Sequence, residues 1–273
     1  MASVVALQDA IDMHVRDGDQ IAMEGFSHLI PFAAGHEIIR QGRKDLTLVR
    51  LTPDILYDQM IGMGCAKKLV FSWAGNPGVG SLHRFRDAVQ NEWPRPLEIE
   101  EHTHAGLTAR YVAGASGLPF GVLRGYAGTD LLESGRTKNV ASIVCPFTNE
   151  KLAAVAALKS DVGIVHAQEA DFEGNVSFWG ITGVQKEAVL SSSRSIVTVE
   201  RLVKQLSKVP GSVVLPSWVV TAVACVPGGA YPSYAAGITD RDNDFYEEWD
   251  AISRDRTTFL SWIRQNVLEK EST

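Results

Sequence analysis

Glu100-Glu101-His102-Thr103-His104 sets two carboxylates and two imidazoles side by side, directly before the small-residue run that begins at Ala105. Such groups can take up, give or hold a proton, or hydrogen-bond an anionic or carbonyl substrate. A His-x-His pair on a strand points to one face, as metal ligands do. No third ligand stands at a convincing spacing, so no metal site is expected. His104 is instead expected to hydrogen-bond a substrate or a partner chain. Glu100 and Glu101 are adjacent, and on an extended backbone they point to opposite sides. One is expected to face a cleft or interface, the other to be solvated or to complement the next helix's dipole. Another carboxylate, Glu24, precedes Gly25-Phe26-Ser27 at the end of an apolar stretch. There it can serve as a nucleophile in principle, or simply hydrogen-bond the strand end.

These groups need strands that end together. Positions 20–24, 46–51, 67–73 and 97–100 read as strands. Helices are expected at 4–15 (capped by Ser3), at 32–40, from a cap at Asp54 to about 64, at 81–89, and after Thr103. Strands alternating with helices predict an α/β fold: an open, mostly parallel sheet covered by helices. Ligands of such sheets bind beyond the carboxyl ends of the strands. Gly75-Asn76-Pro77-Gly78-Val79-Gly80 lies between a strand and a helix but ends in no Lys-Ser/Thr, so it is not a phosphate loop of the nucleotide-binding type. It reads as a tight turn, or as backbone N–H groups at a helix start that meet an anionic or carbonyl group. In the second half, strands are expected at 140–144, 162–166 (leading into a polar loop, 167–176), 195–199, 213–214 and 219–223. The 227–232 segment reads as a turn. Two helices close the chain, the last with Phe259, Trp262, Ile263 and Val267 on one face. Ser191-Ser192-Ser193-Arg194 lacks the context of a hydrolase elbow and reads as a polar helix end. With no linker composition and no repeat, one domain over 1–273 is expected.

Composition narrows the function. With 45% hydrophobic and 21% charged residues among 273, a sizeable core can form. A net charge of -6 argues against binding nucleic acid through phosphates. Three widely spaced cysteines, with no Cys-x-x-Cys, argue against a disulfide scaffold or a thiolate zinc site. There is no leader-like amino terminus and no apolar run of about 20 residues, so neither secretion nor membrane insertion is expected, and the cytoplasm is the expected location.

Several segments together resemble the A (alpha) subunit of class I coenzyme A transferases, nearest the glutaconate-type branch. They are Asp17-Gly18-Asp19 with Gly25-Phe26, the run from Asn76 to Arg86, and the 100–120 region. Pro146-Phe147-Thr148-Asn149-Glu150, Asp161 to Gln168 and Gly174-Asn175-Val176 with Trp179-Gly180 continue the likeness. Ile196 to Glu200 and Pro227 to Ser233 complete it. The resemblance implies a beta subunit of related fold, forming a heterodimer or heterotetramer. It implies acyl-CoA and a carboxylic acid as substrates, CoA thioester being a substrate and no cofactor being permanently bound. It also implies a nucleophilic glutamate on the beta subunit, whose Glu-Asn-Gly or Glu-Ser-Gly signature is absent from this chain. Glu24 stands where such alpha subunits tend to have glycine, and His104 where glutaconate-type ones tend to have Asn. A family relative acting as a CoA-thioester hydrolase or a ring-opening C–C hydrolase is therefore the alternative. On either reading Glu101, His104 and Glu24 are the expected catalytic residues. Gly25, Phe26, Ser27, Trp73, Asn76, Gly78, Gly80 and Glu100 are expected to bind substrate, with Trp73 and Phe26 as an apolar wall.

Overall fold

The computed structural model describes residues 2–126, 129–132 and 134–269. The chain enters as β1 (Ser3–Val4) and α1 (Leu7–His14), then alternates β2 (Gln20–Glu24), α2 (Phe32–Arg40), β3 (Leu46–Val49), α3 (Ile55–Gly62), β4 (Ala66–Phe71), α4 (His83–Asn91), β5 (Glu98–Glu101) and α5 (His104–Ala115). Three strands follow without helices: β6 (Phe120–Leu123), β7 (Val140–Val144) and β8 (Lys151–Ala156). The main sheet resumes with β9 (Ser160–Asp171), β10 (Val176–Phe178), α6 (Gln185–Leu190), β11 (Ser192–Val203), β12 (Val213–Leu215) and β13 (Ala222–Cys225), and the chain closes on α7 (Asn243–Arg254) and α8 (Arg256–Ile263).

The main sheet has the order β1-β13-β11-β9-β2-β3-β4-β5, and these neighbours pair in parallel. Strands of such a sheet are covered on both faces and so are apolar on both. In β2, Ile21 and Met23 join a core with α1, α2, α3, α7 and α8, while Ala22 between them packs with Leu107 and Tyr111 of α5 and Ala188 of α6. Glu24 follows in the alternation on the α5 side. The ends of β2, β3, β4 and β5 are thereby fixed beside one another, each feeding a loop and a helix.

The structure corrects several sequence expectations. Ser3 does not cap the first helix but sits in β1, paired with Ala222. The supposed loop at 167–176 is largely strand: β9 runs on to Asp171 and returns antiparallel as β10. Ser192 to Arg194 begin β11. The helix expected from Ser81 starts at His83, and Asp58 takes up the Phe85 N–H at 2.8 Å. β6, β8 and β7 form a separate antiparallel sheet; β6 and β8 were not expected, because Lys151–Ala156 is alanine-rich and becomes a strand only by pairing.

Candidate active site

A cavity of about 230 Å³ is lined by Phe26, Ser27, Arg50, Thr52, Asp54, Trp73, Pro77 and His104. Every one of these follows the carboxyl end of β2, β3, β4 or β5, so the cavity sits where the sheet topology places a ligand. A larger groove of about 550 Å³ runs between α2, the 226–232 turn, α7 and α8, and none of the predicted site residues lines it.

The β2 loop is forced tight. A Cβ on Gly25 would lie 2.6 Å from the Leu29 carbonyl oxygen, and Ser27 and Leu29 adopt φ of 56° and 52°. Left-handed backbone is costly for residues with a Cβ, and the loop keeps it to turn Phe26 and Ser27 into the cavity. From the β4 loop, Trp73 folds across Gly75, where a Cβ would lie 2.6 Å from the indole ring. Phe26 and Trp73 remain 42% and 47% exposed, a pair of apolar walls open to a ligand. His104 is the first residue of α5; Thr103 caps that helix by accepting the Gly106 N–H at 2.9 Å.

Under the floor lies a buried ionic network. Arg50 Nη1 donates to Asp54 Oδ1 at 2.8 Å, and Nη2 donates to the Gly25 carbonyl at 2.6 Å and to Asp54 Oδ2 at 3.3 Å. Both side chains are 1% exposed. Asp54 also caps α3 by accepting the Leu56 N–H at 3.1 Å. Glu24 is buried beside this pair and accepts the Leu51 N–H at 2.9 Å. Burial outweighs the attraction of Arg50 and pushes its carboxyl up to about 7. The Tyr111 hydroxyl faces the same carboxylate without closing a hydrogen bond of ordinary geometry. Glu24 thus ties the β2 and β3 ends together from below and does not line the cavity, which corrects its expected place as a substrate-facing catalytic group.

Glu100 is likewise internal. Its carboxylate accepts from Arg110 Nη1 at 2.7 Å and Asn139 Nδ2 at 2.9 Å, lies 2.9 Å from His102 Nε2, and pairs with Lys68 Nζ at 2.7 Å. Burial alone would raise its pKa, but His102, Lys68, Asn139 and Arg110 together hold it far below the carboxylate range. His102 reaches on to Tyr126 Oη at 2.8 Å, and Tyr126 fits against α5 because a Cβ on Gly106 would lie 1.9 Å from that oxygen. Glu100 and His102 therefore anchor the β5–α5 corner and hold no substrate. Glu101, partly buried, is outside the cavity lining; its backbone bonds Arg136 and Thr137. Asn76 is buried and donates to the Tyr246 carbonyl at 2.6 Å. Gly78 and Gly80 shape the β4 loop, with Pro77 between Asn76 and Gly78 reaching the cavity. Of the predicted residues, the structure brings together Phe26, Ser27, Trp73 and His104. It adds Arg50, Thr52, Asp54 and Pro77, three of which follow β3 and obey the same strand-end rule that singled out Gly25 and His104.

Among the described residues, no group of three His, Cys, Asp or Glu side chains could hold a metal ion, and no helix is long and apolar enough to cross a membrane.

The family model for coenzyme A transferase matches residues 4–225. This chain belongs to the coenzyme A transferase family. It is 59% identical over 267 residues, covering 98% of this chain and 94% of the relative, to the A subunit of 3-oxoadipate CoA-transferase from Pseudomonas knackmussii. It is 32% identical over 289 aligned residues to the A subunit of glutaconate CoA-transferase from Acidaminococcus fermentans, covering 98% and 89% of the two chains. The crystal structure of glutaconate coenzyme A-transferase from that organism superposes with a TM-score of 0.91 at 29% identity, covering 99% of this chain and 90% of the other. The CoA transferase chain described here thus has the architecture of the alpha subunit nearly end to end, and its chemistry is transfer of coenzyme A between an acyl-CoA and a carboxylate.

Proposed function

We propose that this chain is the alpha subunit of a heteromeric CoA transferase whose acceptor is a short dicarboxylic acid of the 3-oxoadipate kind. The similarity to the corresponding subunit of 3-oxoadipate CoA-transferase, across 98% of the chain, supports the acceptor. The observation that carries the division of labour is the state of the carboxylates. Asp54, in the cavity wall, is engaged by Arg50 and by its own helix. Glu24 is buried beneath, and Glu101 lies outside. None is presented to a thioester, so the attacking glutamate comes from a beta subunit seated over the cavity.

In this reading the partner's carboxylate attacks the thioester carbonyl and CoA leaves, giving a mixed anhydride. CoA then attacks the glutamyl carbonyl of that anhydride, giving a glutamyl-CoA thioester and releasing the first acid. The second acid repeats the steps in reverse and takes the CoA. Each step exchanges one acyl bond for another, as covalent catalysis does. Phe26 and Trp73 hold the acyl chain, the backbone N–H groups of the 25–27 turn face the carbonyl, and His104 hydrogen-bonds the chain at the rim. The test is CoA exchange between an acyl-CoA and 3-oxoadipate, measured with this chain, with its partner, and with both. Exchange by the pair and by neither alone is expected. Exchange by this chain alone would overturn the reading.

His104 is exposed at the first position of α5, where substitutions cost little stability. His104→Ala is expected to lower turnover about 10- to 100-fold while the melting temperature stays nearly constant. Unchanged kinetics with a lowered melting temperature would make it a structural residue.

A further inference from the structure

The geometry points to Arg50 as the residue that selects acyl chains carrying a second carboxylate at the end away from the thioester. This inference rests on the transferase reading and deepens it. Arg50 lines the cavity although its side chain is 1% exposed. Its two Nη groups are engaged with Asp54 and the Gly25 carbonyl. Its Nε is buried and has no partner among the described residues. A buried donor with nothing to meet is costly, so a site that keeps one has an acceptor coming from outside the chain.

The surroundings favour an anionic acceptor. α3 and α5 both begin at the cavity, through Asp54 and His104. A helix start presents N–H groups and a partial positive charge. The one acidic side chain in the lining, Asp54, is neutralised by Arg50 and satisfied by the Leu56 N–H. Glu24 approaches Arg50 from below, on the side away from the cavity lining. The walls are otherwise Phe26, Trp73 and Pro77, suited to methylenes. At about 230 Å³ the space is smaller than the roughly 300 Å³ at which sites for drug-sized ligands begin. It takes a short chain, with the CoA body outside.

The experiment compares two acceptors that differ only at the far end, 3-oxoadipate and 3-oxohexanoate, using the complex with the beta subunit. The wild-type complex is expected to favour the diacid in kcat/KM by about 100-fold or more. Arg50→Met combined with Asp54→Asn leaves no unpaired buried charge and is expected to bring that ratio to within about threefold. Arg50→Lys keeps a cation opposite Asp54 but has no Nε–H, and it is expected to raise KM for the diacid about 10-fold or more relative to the monoacid. A role confined to holding the loops would change both acceptors alike. A wild-type ratio near one overturns the proposal whether or not either variant assembles, and so does a folded variant that keeps the full ratio. If the wild-type complex transfers CoA to neither acid, the acceptor assignment itself has failed and this inference falls with it.

Discussion

Replacing Arg50 by methionine is expected to destabilise the protein by about 3–5 kcal/mol. The cost does not come from losing a strong attraction. Two desolvated ions in a pair gain little over well-packed apolar groups, but removing one leaves the other buried without compensation. Here the orphan is Asp54, 1% exposed, and the Gly25 carbonyl loses its guanidinium donor as well. The same argument predicts a partial rescue. Adding Asp54→Asn removes the orphaned charge, and asparagine caps a helix about as well as aspartate, so the Leu56 N–H keeps its acceptor. Denaturant unfolding of the wild type, both single variants and the double variant closes the cycle. A double variant no more stable than Arg50→Met would show that the loop contacts, and not the buried charge, account for the loss.

The second large effect is pH-dependent and has the opposite sign. Glu24 ionises near 4.5 when unfolded and near 7 when folded, because burial opposes its charge. Below 4.5 it is protonated in both states and contributes nothing. Between 4.5 and about 7 the folded state holds a proton that the unfolded state has lost, so stability falls as pH rises. Above 7 the whole penalty is present, about 3 kcal/mol for a shift of this size. Glu24→Gln does not titrate. Its amide oxygen can still accept from Leu51 N–H, and its NH₂ can donate to the Tyr111 hydroxyl, which lacks a partner in the native protein. The variant is expected to match wild type at pH 5 and to exceed it by up to about 3 kcal/mol at pH 8. Parallel stability curves across that range would mean that Glu24 is ionised throughout.

What could be read in the sequence follows from what each signal measures. Alternating periodicity located β2, α2, β3, α3 and β4 to within a few residues, and the strand-end rule led from these to Phe26, Ser27, Trp73 and His104. Burial of polar groups could not be read that way. Glu24 and Glu100 look like available carboxylates in a linear chain. Only the packing of α5 over the sheet, with Tyr111 against Glu24 and Arg110 against Glu100, turns them into internal struts. Arg50 was missed for the same reason: one arginine after a strand reads as solvated until Asp54 and the Gly25 carbonyl are folded around it. Asp54 was recognised as a cap, which is half of its work. β6 and β8 went unseen because a three-stranded sheet with exposed Phe120 and Val122 is made by cross-strand pairing more than by any local pattern.

The claim on which the rest depends is that the attacking carboxylate belongs to the companion subunit. Adding acyl-CoA to the assembled complex and then borohydride reduces a glutamyl-CoA thioester to an alcohol, and mass spectrometry of both chains locates it. The modification is expected on one glutamate of the beta subunit, with this chain untouched. Reduction at Glu24 or Glu101, or release of CoA to water with no glutamate trapped on either chain, would contradict the account.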